Sequence, residues 1–197
     1  MKPEHEYLRS YLEKYAPIPA PEWEKLTGLL KSLHVDKNEY LIRQGDRPQR
    51  LAIIVSGIFR VFCITESGDD KTLAFRTKGM ALAAYTPFLE NRRTWFSIQA
   101  IEAGELIYIL LDDFKRLSLG HPCWEKATKE YFIGLYIEKE EREKSFLTED
   151  AKTRYLRFKM KNPELEKQIH NFYVASYLGI SPVSLSRIRG ELKKSAN

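Results

Sequence analysis

Apolar and polar positions follow three different rhythms along the chain. Residues 3–34 place Tyr7, Tyr11, Leu12, Trp23, Leu26, Leu29, Leu30 and Leu33 at helical spacing, broken in two by Pro17-Ile18-Pro19-Ala20-Pro21, which predicts a helical preface. From Val35 to about Leu111, Gly45, Gly57, Gly68, Gly79 and Gly104 recur at intervals of roughly a dozen residues. Between them lie strand-type stretches, among them 51–55, 58–64, 72–75 and 106–110. Short strands parted by turn signals such as Glu66-Ser67-Gly68-Asp69 predict an antiparallel sandwich or barrel.

Past Asp112 the helical rhythm returns. Residues 122–147 carry Trp124, Ala127, Tyr131, Phe132, Leu135, Tyr136 and Phe146 as an apolar stripe, rimmed by the charged run 138–144, which includes Arg142. Such a long helix either packs across its own barrel or pairs with its twin in a dimer. Pairing is the expectation taken forward, with Trp124, Tyr131 and Leu135 in the contact. After a cap-like break at 147–150, a further amphipathic helix runs from Ala151 to a stop at Asn162-Pro163.

The closing segment fits a helix-turn-helix, with helices predicted over Phe172–Leu178 and Pro182–Lys193. Ala175 is small where the second helix crosses the first, and Gly179 can take the left-handed conformation of a tight turn. Ser181 can accept orphan amides as N-cap, and Pro182 suits the first helical position, where its missing donor costs nothing. Val174, Leu178, Ile180, Leu185, Ile188 and Leu192 share an inner face. Val183, Ser184, Ser186, Arg187 and Glu191 remain outside, with Arg189 toward the flank. In a major groove, Arg187 could bond guanine O6 and N7 together, Val183 could touch a thymine methyl, and Ser184 suits phosphate.

Charge sharpens this picture. Residues 1–150 hold 22 Lys and Arg against 24 Asp and Glu, a net of −2, whereas residues 151–197 hold 10 against 3, a net of +7. A basic segment on a near-neutral body is the electrostatic footprint of a nucleic-acid-binding module. The composition, 43% hydrophobic and 30% charged, is globular. No stretch approaches the ~18 consecutive apolar residues of a membrane helix, and the N-terminus has no signal-type apolar run, so a cytoplasmic protein without membrane contact is expected. Cys63 and Cys123 lack CxxC partners and read as small apolar groups. His5, His34, His121 and His170 show no ligand spacing, and no cofactor or metal is expected.

These residues resemble the cyclic-AMP receptor protein and fumarate-nitrate regulator (CRP/FNR) superfamily of bacterial transcription factors. "YLIRQGDRPQRLAIIVSGIFRVF" is similar to the opening of that family's double-stranded β-roll, residues 120–147 to its dimer helix, "AKTRYLRF" to its linker, and "ASYLGISPVSLSRIR" to its helix-turn-helix. The resemblance implies an α+β fold in three parts. These are an antiparallel β-roll with N-terminal helices over 1–119, a dimerisation helix over 120–147, and a helix-turn-helix, winged-helix-like domain over 148–197. It also implies a homodimer on an inverted-repeat operator, RNA polymerase as a further partner, and a small-molecule effector or none in the roll.

The likeness fails at the effector pocket. Members that bind cyclic AMP use a Gly-Glu pair and an Arg-Ser or Arg-Thr pair, and alignment of "SIQAIEAGELIYI" with the family's later strand places Ala83 and Ala84, then Thr94 and Trp95, at those positions. Arg92 and Arg93 lie close by, but no acid replaces the missing carboxylate. A buried phosphate and ribose without these partners would cost roughly 1–3 kcal/mol per unpaired group, so cyclic-AMP binding is not expected. Met80, Leu82, Ala83, Tyr85, Phe88, Trp95 and Phe96 would then form either a solid core, the reading taken forward, or a pocket for an apolar ligand. A ligand-sensing or protein-interaction module with a vestigial helix-turn-helix is the alternative function. A metal-dependent enzyme on the same barrel would need a His and Glu cluster that the strands lack.

Overall fold

The structure is a computed structural model that describes residues 3–194. Two helices open it, α1 (Pro3–Leu12) and α2 (Ala20–Leu29), with prolines opening α2 at positions where no amide donor is needed. The preface ends earlier than its periodicity predicts. Residues 31–35 leave the helical pattern as β1 (Lys31–Val35), because Leu33 and Val35 find partners opposite Leu106 and Gly104. There follow β2 (Tyr40–Ile42), β3 (Arg50–Ile54), β4 (Ile58–Ile64), β5 (Asp70–Arg76) and β6 (Ala81–Leu82), then α3 (Tyr85–Leu89), β7 (Ser97–Glu102) and β8 (Gly104–Leu110).

The strands form two four-stranded sheets, ordered β1-β8-β3-β6 and β2-β7-β4-β5. The pairs β1–β8, β3–β8, β3–β6 and β2–β7 are antiparallel. Alternation along the strands decides what each face buries. Ala52, Ile54 and Leu106 join Phe59, Ile98 and Ala100 of the other sheet in the interior of an antiparallel β-roll. Ile53, Ile107 and Ile109 point the other way and pack with Leu8, Trp23, Leu26 and Trp124 from helices. The roll is thus wrapped on one side by the N-terminal helices and by α4 (Leu111–Gly120) and the start of α5 (Pro122–Thr148). Gly104 has a steric reason: a Cβ there would collide with the Ser56 carbonyl, where the β3–β4 turn crosses the β7–β8 turn.

The chain forms two compact units, one of residues 1–61 with 75–136 and one of 62–74 with 137–197. The second unit contains the ends of β4 and β5, the C-terminal part of α5, and α6 (Ala151–Lys161), α7 (Pro163–Gln168), α8 (Asn171–Leu178) and α9 (Pro182–Lys194). Asp150 caps α6 by accepting the Thr153 amide at 2.7 Å. Pro163 does more than stop α6, since it opens the short α7. Among the described residues no strand follows β8, so the wing that the resemblance implies is not part of the described fold. Cys123 is buried and Cys63 half-buried, and burial pushes both thiols up.

Candidate nucleic-acid interface

Local chemistry builds the turn between α8 and α9. His170 caps α8, its Nδ1 accepting the Phe172 amide at 3.2 Å. At the other end Gly179 sits at φ 69°, ψ 32°, and the amides of Gly179 and Ile180 return to the carbonyls of Ser176 and Ala175 at 3.1 and 3.0 Å. Glycine is required twice over at this position, because a Cβ would also stand 2.6 Å from the Phe146 ring. Ser181 accepts the Ser184 amide at 3.1 Å, and its hydroxyl pairs with that of Ser184 at 2.9 Å, so Ser184 is half-buried in the cap. Val174, Ala175, Leu178, Leu185 and Ile188 are buried.

The outward residues separate into two kinds. Val183 is 69% exposed, Ser186 and Arg187 are exposed, and Arg187 makes no hydrogen bond or ion pair among the described residues. Arg189 differs from the flanking position expected of it. Its Nε donates to the Tyr155 hydroxyl at 3.0 Å, and its other nitrogens reach Asn171 and Glu166, so the guanidinium ties α9 to α6, α7 and α8. Its donors are thus engaged within the protein.

Of the ten basic residues in 151–197, Arg157, Lys161, Lys167 and Arg189 are ion-paired, and Arg154 donates to the carbonyls of Leu178 and Glu149. Lys152, Lys159, Arg187, Lys193 and Lys194 remain exposed without such partners among the described residues. These five carry the positive field available to phosphate.

Arg142 was expected on the solvent rim of the long helix and instead turns inward. It donates to the carbonyls of Tyr177 at 2.9 Å and Thr72 at 3.3 Å and lies between the Phe146 and Tyr177 rings. Desolvation lowers its pKa from the ordinary guanidinium value. Beside it Ser176 accepts the Thr72 amide at 2.8 Å and donates to the Asp70 carbonyl at 2.9 Å, fastening α8 to the edge of β5. Nothing local marks Arg142 or Ser176, whose partners lie 35 to 106 residues away.

The long helix also redistributes its expected dimer residues. Trp124 is 1% exposed, and its indole donates to Glu22 at 2.8 Å, which places it in the core of its own unit and removes it from any dimer contact. Tyr131 is half-buried with its ring against Tyr15, and Leu135 is half-buried. Exposed apolar residues in this part of the helix are instead Phe132, Ile133, Tyr136 and Ile137, with Phe146 and Leu147 exposed near its end.

In the roll, the positions singled out for an effector part company. Thr94 is buried and bonds the Phe96 backbone through its hydroxyl, whereas Trp95 is 58% exposed. Tyr85 packs with Phe88, Phe114 and Phe132. Ala83 and Ala84 do line a cleft of about 430 Å³, together with Leu82, but the aromatic residues expected there do not. Arg93 lines it too, while Arg92 pairs with Glu90 in solvent. The interior is therefore a packed core with a polar cleft at its side. No group of three or more His, Cys, Asp or Glu residues able to hold a metal occurs among the described residues.

Residues 32–121 match the cyclic nucleotide-binding domain family. The chain is 28% identical over 173 residues to the fumarate and nitrate reduction regulatory protein of Vibrio cholerae, covering 82% of this chain and 68% of that protein. The chain is thus similar to regulators of the CRP/FNR type. It is also 30% identical over 92 residues to the anaerobic regulatory protein of Bacillus subtilis, covering 47% of this chain but only 39% of that relative's length. The fold agrees with the solved structure of FixK2 from Bradyrhizobium japonicum at a TM-score of 0.73 and 15% identity, over 85% of this chain and 86% of that one. As in CRP/FNR proteins generally, a β-roll is here followed by C-terminal helices. The relatives named are regulatory proteins, and no helix among the described residues is long and apolar enough to cross a membrane.

Proposed function

We propose that this chain is a homodimeric, sequence-specific DNA-binding regulator of transcription, acting in the cytoplasm, whose roll does not take cyclic AMP. The observation that carries the reading is Arg187, an exposed guanidinium without a hydrogen-bond or ion-pair partner among the described residues, on a helix whose start is fixed by the Ser181 cap and the left-handed Gly179. A residue so placed has its whole donor fork available for a base edge. Val183 and Ser186 flank it as contacts of the same helix, Ser184 serves the turn as well as phosphate, and Lys152, Lys159, Lys193 and Lys194 supply the salt-dependent part of affinity. The reading assigns 1–119 to the roll, 120–147 to dimerisation and 148–197 to DNA, with RNA polymerase as the further partner of a regulator.

Homodimerism is supported by the apolar strip Phe132, Ile133, Tyr136 and Ile137, which recurs at the spacing of one helix face on a 27-residue helix. The loss of cyclic-AMP binding is supported by Ala83 and Ala84, which offer no carboxylate to a ribose. Selection of bound sequences from a random DNA pool tests the whole. An inverted repeat is expected, its half-sites about 10 base pairs apart centre to centre or a multiple of that. Failure to retain any duplex at low salt overturns the reading.

A further inference from the structure

We propose that one outer rim of the roll is a docking surface for single-stranded nucleic acid. The rim lies wholly within the unit of residues 1–61 and 75–136, where the segment between β2 and β3 meets the segment between α3 and β7. Arg43 and Arg47 of the first segment and Arg92 and Arg93 of the second are exposed, and they share the rim with Trp95, which is 58% exposed. Over residues 40–47 and 90–97 these four arginines face only two acids, Asp46 and Glu90, a net charge of +2.

Most of that charge is left for a partner. Glu90 pairs with Arg92, and Asp46 accepts the Arg43 amide at 2.9 Å, so the guanidiniums of Arg43, Arg47 and Arg93 meet no carboxylate among the described residues. Arg47 donates to the Asn91 side chain at 2.7 Å and Arg93 to the Gly45 carbonyl at 2.8 Å, neutral acceptors that hold one nitrogen of each fork. Arg43 lies 3.7 Å over the Tyr40 ring, the separation of stacked planes, and because the residue is exposed its outer face is open. Trp95 is a second flat surface, inclined at 83° to Phe96 rather than stacked on it. The other two tryptophans, Trp23 and Trp124, are 4% and 1% exposed, so the rim holds the one indole that the fold leaves in water. A large aromatic ring left exposed among cations marks a contact surface.

The chemistry of the partner follows from this mixture. Two flat π-surfaces among cations suit a chain that alternates planar rings with one anion per residue, which describes single-stranded nucleic acid. Its bases stack on aromatic rings and guanidinium planes, and arginine forks take its phosphates. A duplex keeps its base faces stacked on one another and has none to offer Trp95. An acidic peptide satisfies the arginines but brings no ring for each platform. The frame is set before binding: Gly45 donates to the Thr94 carbonyl at 2.7 Å, Thr94 to that of Asp46 at 2.9 Å, and the Gln44 amide to the Ser97 hydroxyl at 2.9 Å. Platforms held by such a frame lose little freedom on binding.

Because Trp95 alone among the tryptophans is exposed, intrinsic fluorescence of the full chain reads this rim directly, independently of whether α9 binds an operator. Oligothymidylate and oligouridylate of about 12 nucleotides are the probes, with thymidine monophosphate, a duplex of the same length and oligoglutamate as comparators. Saturable quenching is expected from at least one oligonucleotide, and the tighter of the two identifies the sugar. In an anisotropy titration with the labelled oligonucleotide, Trp95→Ala should weaken binding about ten-fold through lost stacking. Arg43→Gln with Arg93→Gln should weaken it about as much and flatten its salt dependence, from positions whose exposure leaves the fold in place. Arg187→Ala should leave it unchanged, which separates the rim from α9. The mononucleotide, which can reach the cleft beside Arg93 but cannot span the rim, should bind at least about ten-fold more weakly. No saturable quenching by either oligonucleotide, affinity untouched by the Trp95 or arginine substitutions, or equal quenching by the mononucleotide, the duplex or oligoglutamate overturns the proposal.

Discussion

Arg187 and Arg189 stand two positions apart in α9, yet substituting them should separate function from stability. Arg189→Ala removes the donor shared by Tyr155, Asn171 and Glu166, leaving a carboxylate only 12% exposed without its cation. A loss of about 1–3 kcal/mol is expected, the cost of orphaning partly buried polar groups, read from the urea midpoint. Arg187→Ala breaks no hydrogen bond or ion pair among the described residues and should leave that midpoint in place while weakening binding to a selected operator by about 1–3 kcal/mol in a titrated mobility shift. If instead Arg187→Ala unfolds the protein, or leaves operator affinity intact, the groove-facing assignment of this residue is wrong. Gly179→Ala belongs to the same scale. The left-handed backbone alone costs a side chain about 1–2 kcal/mol, and the Phe146 ring at 2.6 Å adds to that. Phe146→Ala should relieve only the second part, so a double-mutant cycle between the two should show coupling.

At the scale of elements, the β1–β8 ladder carries a titratable link. His34 and Glu105 face each other in the register, with Nδ1 2.6 Å from the carboxylate, and Asp36 lies 3.3 Å from Nε2. The hydrogen bond to Glu105 first, and the two carboxylate charges after it, raise the His34 pKa from its ordinary value. The folded state therefore holds this proton more tightly than the unfolded chain. The stabilisation is complete below the ordinary histidine pKa of about 6.5 and fades as pH rises through the raised value. The melting temperature of wild type relative to His34→Gln should accordingly shrink toward alkaline pH, and a difference that grows would contradict the pairing. Asp150 behaves in the opposite sense. The Thr153 amide lowers its pKa, so its contribution is lost on acidification, outside the histidine window. The ladder also explains which elements were legible from sequence. Turn glycines, the Ser181 cap and the Gly179 bend are local chemistry, written in adjacent residues. Leu33 reads as helical because only Leu106, far along the chain, makes it a strand residue. Trp124, Arg142 and Arg189 were misplaced for the same reason, since an amphipathic pattern tells which side chains seek a partner and not whether Glu22, Thr72 or Glu166 supplies it.

The whole molecule depends on what covers the strip on α5. Phe132, Ile133, Tyr136 and Ile137 are between 37% and 67% exposed, and four large apolar side chains at helix-face spacing are more than a lone chain ordinarily leaves in water. Pairing two copies along this face would bury them in a seam of coiled-coil type. Ile133→Glu with Ile137→Glu places like charges into that seam from both copies. The expected result is a monomer by light scattering, with far-ultraviolet circular dichroism unchanged because both positions are exposed on one chain. The consequence for DNA follows from geometry. In a dimer the second recognition helix binds at an effective concentration set by the first, so affinity for an inverted repeat exceeds that for a half-site by far more than two-fold. The monomer should lose this excess and bind repeat and half-site nearly alike, while the unpaired Arg187 still discriminates the base it reads. A double variant that remains dimeric would transfer the seam to another surface, and one that is monomeric yet keeps full affinity for the inverted repeat would remove dimerisation from the mechanism of recognition.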